Sequence, residues 1–173
     1  MDKNKYKKYY SEIETNREVV LEVLKNEKGL MEEVVILEEF YNKLSMITID
    51  EVNKTDMQLL MLPGGSGYEN LDKSEKVHEL IDYAVENNLY IAAICAAPSI
   101  LGKKGLLDGK NAVCFPGFEK YMIGAKIKNE KAVMDGKIIT AKGAGAACDF
   151  GFLMVSVLKD EETSKELKRV MQY

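Results

Sequence analysis

Histidine is nearly missing from this chain, and no cysteine has a partner at close spacing. The 173 residues hold one histidine, His78, and three cysteines, Cys95, Cys114 and Cys148, which lie far apart and form no CxxC pair. An odd, scattered set excludes a secreted disulfide framework and a zinc knuckle, and with one histidine no metal site is expected. An excess of positive charge is missing too. The 24 Lys and Arg stand against 28 Asp and Glu for a formal net charge of -4, so no global basic field draws in nucleic acid or an anionic membrane. No stretch approaches the roughly 18 continuous apolar residues of a membrane span. Lys3, Lys5, Lys7 and Lys8 are followed by no apolar run, so the start does not read as a signal peptide. These absences point to a soluble, cytoplasmic protein in a reducing compartment, whose partners are small molecules or proteins.

What is present is enough apolar material for one core: 46% of the residues are hydrophobic, in a length that suits a single domain. Ile13, Val19, Val20, Val23 and Leu24 follow helical spacing over Glu12 to Asn26, with Gly29 as a stop. Val34-Val35-Ile36-Leu37 is a short β-branched run suited to a buried strand, and Met46 to Ile49 is a weaker strand candidate. Gln58 to Leu62 reads as a second buried strand, ended by Pro63-Gly64-Gly65-Ser66-Gly67. A glycine-rich loop at a strand's C-terminal end is where open α/β sheets place their sites. Asp72 and Glu75 have capping-box spacing ahead of a helical stripe of Val77, Leu80, Ile81, Ala84 and Val85 that ends near Asn87-Asn88.

Leu89 to Ile94 is a fully apolar strand with Cys95 directly after it, ahead of a short helix running towards Lys104-Gly105. Asn111 to Phe115 and Lys137 to Ala141 are further strands, and Asp135-Gly136 signals a hairpin. Phe150 to Leu158 is apolar on every side, as a buried helix is, and Thr163 with Glu166 caps a last amphipathic helix. Alternating strands and helices imply an α/β fold with a mainly parallel sheet covered on both faces.

Cys95 is the centre of the chemistry. At the mouth of a helix, unpaired N–H groups and the helix dipole favour thiolate over thiol. With the Gly64-Gly65 loop one strand away, the same N–H groups suit a developing oxyanion. Position alone leaves a second reading, a small buried hydrophobe.

Three words in order, Leu60-Met61-Leu62-Pro63-Gly64-Gly65, Ala92-Ala93-Ile94-Cys95-Ala96-Ala97-Pro98 and Asp135-Gly136-Lys137-Ile138-Ile139-Thr140, resemble the ThiJ/PfpI family, in the class I glutamine amidotransferase-like superfamily. Lys142-Gly143-Ala144-Gly145 and Asp149-Phe150 continue the resemblance, which runs from about Gln58 to the C-terminus. It implies a flavodoxin-like three-layer sandwich, a homodimer, and a cysteine in a nucleophile elbow. Carried over, Cys95 is the nucleophile, Gly65 and Ala96 are the backbone oxyanion donors, and Glu14 is the acid/base partner that shares a proton with the sulfur. The other reading of Glu14 is a first-turn glutamate serving a helix dipole. Gly64, Phe115 and Lys142 are candidate pocket residues, Lys142 with an exposed position as its alternative. No cofactor is implied.

The sequence departs from the family in two ways. Met1 to Tyr10 is mostly Lys, Tyr, Asp and Asn where an apolar first strand is usual. Residues 1–10 are therefore a divergent basic stretch, read as a tail or an anion-binding segment, with the first strand absent or degraded, and 11–173 are the single domain. Peptidase-like members place a histidine directly after the cysteine, and deglycase-like members one before a proline after the next strand. Here those positions are Ala96 and Phe115. His78 reads as a surface residue, so Cys-His proteolysis is not expected. Cys114 is expected in the core, and Cys148 nearer the site. Three functions stay open: hydrolase- or glyoxalase-type chemistry on a small carbonyl or amide compound, a redox-responsive stress protein that senses through Cys95 oxidation, and an inactive family member.

Overall fold

The computed structural model describes residues 49–173. The basic stretch, the helix over Glu12 to Asn26, the strand over Val34 to Leu37 and Glu14 lie outside the described residues. So does most of the Met46 to Ile49 segment, whose last residue instead opens a single 3-10 turn, Ile49–Glu51.

Four strands form one sheet in the order β1-β2-β6-β5: β1 is Leu59–Leu62, β2 Tyr90–Ile94, β6 Ile138–Ala141 and β5 Ala132–Asp135. β1, β2 and β6 run parallel, with Leu62 opposite Ala93 and Ile94 opposite Ala141. β5 returns antiparallel through the Asp135-Gly136 turn. Alternation along β2 separates two cores. Ile91 and Ala93 face a cluster with Ile81 of α2 (Glu75–Glu86) and Ile100 and Leu101 of α3 (Pro98–Lys103). Ala92 faces the other side, with Ile139 and Ala141, against Phe150 of α4 (Ala147–Leu158). Helices on both faces of a mostly parallel sheet make the flavodoxin-like three-layer sandwich. Ile81, Ile100 and Ile139 are fully buried, each contributing about 1.5–3 kcal/mol.

Several local expectations change. The α2 stripe is buried at Val77, Leu80, Ile81 and Ala84, while Val85 is exposed. Its cap is Ser74, whose hydroxyl accepts from the Val77 N–H, because Asp72 is used inside a separate short helix, α1 (Tyr68–Lys73). Likewise α5 (Glu161–Val170) is capped by Asp160, which accepts from the Thr163 N–H at 2.6 Å, while Glu166 pairs with Arg169. The expected strand Asn111 to Phe115 shrinks to β3, Asn111–Ala112, paired with β4, Lys126–Ile127, in a separate two-stranded ladder. Beyond Ala112, the Val113 N–H donates to the buried Thr140 hydroxyl of β6 rather than to a backbone carbonyl of a ladder. β1 is not buried throughout, for Met61 is exposed. α4 buries only Phe150 and Phe152, since the described elements cover one side of it.

Candidate functional site

Cys95 stands at the C-terminal end of β2 with a left-handed backbone, φ +65°. An L-residue avoids this region because Cβ crowds the carbonyl, at a cost of roughly 1–2 kcal/mol. Two hydrogen bonds hold it there. The Cys95 N–H donates to the Ala141 carbonyl at 2.9 Å, continuing the β2–β6 ladder by one step, and its own carbonyl accepts from the Phe115 N–H at 2.8 Å. Backbone strain retained under such ties marks a place where a side chain is being aimed. The side chain is half-buried.

The glycine loop after β1 closes on the same residue. A Cβ on Gly64 would overlap the Cys95 Cβ and stand 2.8 Å from the Ile94 carbonyl oxygen and 3.2 Å from the Cys95 sulfur. Only glycine permits this approach. Gly65 is exposed and also left-handed, φ +78°. Among the described residues neither the Gly65 nor the Ala96 N–H is given to a hydrogen bond, whereas Ala97 N–H is used by the Ile94 carbonyl and the Ala96 carbonyl accepts from both the N–H and the hydroxyl of Ser99. α3 begins three residues after the cysteine, at Pro98, which has no N–H to offer. Cys95 thus sits at the strand-to-helix turn, as expected, three residues ahead of the helix proper, and among the described residues the nearby donors without a partner are turn and loop amides.

Cys95, Gly64, Ala96 and Phe115 are brought together. Lys142 is turned elsewhere, its Nζ donating to Asn129 Oδ1 at 2.7 Å. His78, read as a surface residue, is partly buried, and its Nε2, 2.8 Å from the Asp72 carbonyl, ties α2 to α1. Cys114 is core, and burial, aided by the Glu119 charge, pushes its thiol up to about 11. Cys148 is exposed in the first turn of α4. Among the described residues no group of three His, Cys, Asp or Glu side chains is arranged to hold a metal ion, and no helix is long and apolar enough to cross a membrane. Sequence reasoning did not single out Ala141 or Gly143. The second glycine cluster was their signal: Gly143 is buried, and a Cβ there would come 3.3 Å from the Phe115 ring.

A family model described as the DJ-1/PfpI family matches residues 16–157. Protein DJ-1 homolog B of Arabidopsis thaliana is 30% identical over 125 residues, 71% of this chain and 28% of that protein. Protein dj-1beta of Drosophila melanogaster is 29% identical over 125 residues, 70% of this chain and 67% of the fly protein. The chain therefore spans under a third of the plant relative and about two thirds of the fly one. The crystal structure of Drosophila melanogaster DJ-1beta superposes with a TM-score of 0.65 at 28% identity, covering 72% of this chain and 69% of that one. Toxoplasma gondii DJ-1, described as oxidized, gives 0.66 at 26%, over 72% and 69%.

Proposed function

The chain belongs to the DJ-1/PfpI family, and on that footing we propose that it performs nucleophilic chemistry with Cys95 on a small carbonyl compound, as a cytoplasmic homodimer. The observation that carries this is the strained Cys95 backbone, clamped by Ala141 and Phe115 against Gly64. In the proposed step the Cys95 sulfur forms a bond to the carbonyl carbon as the C=O π bond opens. The oxygen's charge is met by the Gly65 and Ala96 N–H groups, which give no hydrogen bond among the described residues and are the proposed oxyanion hole. Glu14 is proposed to share the proton of the Cys95 sulfur, and that proton ends on the carbonyl oxygen. A relative in Caenorhabditis elegans, 27% identical over 122 residues, carries the name glutathione-independent glyoxalase, which supports a 2-oxoaldehyde as the substrate type. The test is methylglyoxal turnover together with peptide mapping after limited iodoacetamide. Turnover lost in Cys95→Ala and slowed in Glu14→Gln, with Cys95 alkylated far ahead of Cys114, is the expected result. Alkylation of Cys95 no faster than Cys114 sinks the proposal.

A second reading is favoured by a specific observation: the chain's single histidine has its Nε2 on the Asp72 carbonyl, and Ala96 and Phe115 stand at the two positions where family members place a histidine. A cysteine that reacts with peroxide needs none, and one solved relative is described as oxidized. Selective formation of a Cys95 sulfinate under mild peroxide, with no turnover of methylglyoxal or a small amide, selects this redox-sensing role instead.

A further inference from the structure

We propose that a row of three aromatic rings, Phe115, Phe118 and Tyr68, walls the Cys95 site and selects carbonyl compounds that carry an aromatic or flat apolar substituent; this rests on Cys95 being the nucleophile. The row is built by short-range chemistry. Phe115-Pro116-Gly117-Phe118 is a tight turn with proline second and glycine third, Gly117 at φ +95°, closed by the Phe118 N–H donating to the Phe115 carbonyl at 3.1 Å. This is the residue pattern of a type II turn, and it brings the two phenylalanines to one place, their ring centroids 6.5 Å apart. Phe118 in turn meets Tyr68 edge to face at 5.1 Å.

Where the two ends of the row lie matters most. Phe115 is joined by its N–H to the Cys95 carbonyl, and its ring lies against Gly143, two residues past the end of β6. Tyr68 opens α1, and its N–H donates to the carbonyl of Gly65 in the loop past β1. β2 lies between β1 and β6, so the rings run from one neighbour's end to the other's across the strand end that carries Cys95. Phe115 nevertheless remains 47% exposed. An aromatic ring left half exposed, on the turn whose first N–H is bonded to the Cys95 carbonyl, offers apolar surface to a ligand's flat group. The turn is held from behind as well. Gly102 of α3 has no side chain, and a Cβ there would overlap the Tyr121 carbonyl, so the 3-10 turn after Phe118 packs directly on the helix.

The reaction selected is addition: the Cys95 S–C bond forms, the C=O π bond opens, and the thiol proton ends on the carbonyl oxygen. No oxidant or reductant is consumed. The test replaces the unknown substrate by two alkylating reagents of one chemistry, iodoacetamide and N-benzyl iodoacetamide, each of which makes an S–C bond and releases iodide. Rates at Cys95 and at exposed Cys148 are read by peptide mapping on the full chain and normalised to a free thiol. The benzyl reagent is expected to gain about fivefold at Cys95, the size of one aromatic contact, and nothing at Cys148. Phe115→Ala and the volume-keeping Phe115→Leu should both bring the ratio of the benzyl rate to the iodoacetamide rate at Cys95 down to the ratio shown by the free thiol. A gain that survives both substitutions, or no gain in the unaltered chain, overturns the aromatic wall alone. A Cys95 unreactive to both reagents overturns the nucleophile reading and the wall with it.

Discussion

Two left-handed residues close two strands of the same sheet, and they are opposite in kind. Gly136, φ +62°, turns β5 into β6, and Cys95, φ +65°, ends β2. The hairpin needs only a reversal of direction, and glycine makes it without steric cost. The Asp135 carboxylate then secures the turn, accepting from the Asn111 N–H and its side-chain amide, both at 2.9 Å. At the β2 end the same dihedral is imposed on a residue that resists it, and three segments are spent holding it: Gly64, Ala141 and Phe115. Strain is absent where a turn suffices and kept where a side chain must be aimed, which is how a fold separates structural from chemical positions.

The sharpest way to break this contrast is Gly64→Ala. Its Cβ meets backbone and Cys95 rather than a yielding side chain, so thermal or urea unfolding should show a loss of about 2–3 kcal/mol. Cys95 alkylation should shift by an order of magnitude or so as the elbow is displaced. Unchanged stability and labelling would mean that Gly64 does not set the cysteine's position. Next in size is a pair of opposite sign. Cys95→Gly should be more stable than Cys95→Ala by about 1 kcal/mol, while Gly136→Ala should be less stable than the unaltered chain by a similar amount. Equal stability of the two Cys95 variants would deny the strain.

The smallest effect is on pH dependence. The Asn111 N–H first, then its side-chain amide and the Lys110 and Lys126 charges, hold the Asp135 carboxyl below its usual value. A carboxyl lowered in the native state contributes stability that is complete above the ordinary carboxylate range and is lost as pH falls through its native value. The protection of the Asn111 amide, referenced to unfolded-chain exchange at each pH, should therefore fall in acid, and Asp135→Asn should remove that fall. The elbow, tied by backbone groups alone, should show no such acid step at the Phe115 amide.

Much of this was legible from residue patterns. The run of apolar residues into Cys95 located the turn, and the stripe of α2 located its buried face, because both signals repeat within one element. Caps were misread where polar residues compete: Ser74 and Asp160 each stand close to the residue expected to cap, and only the packing of α1 and α4 decides which is free to accept. Cys148, in the first turn of the apolar helix α4, is exposed; apolar neighbours in the sequence do not say which side of a helix is covered.

By itself the sequence determined the layered α/β class, the strands β1, β2 and β6 with the helices α2 to α5, the family, and the cysteine to watch, since each follows from periodicity and short words read within a few positions. Tertiary structure alone decided the left-handed backbone of Cys95, the contact of Gly64 with it, and the aromatic row across the strand end. Those depend on parallel register, which sets Leu62 beside Ala93 and Ile94 beside Ala141, and register joins segments dozens of residues apart that no local pattern links.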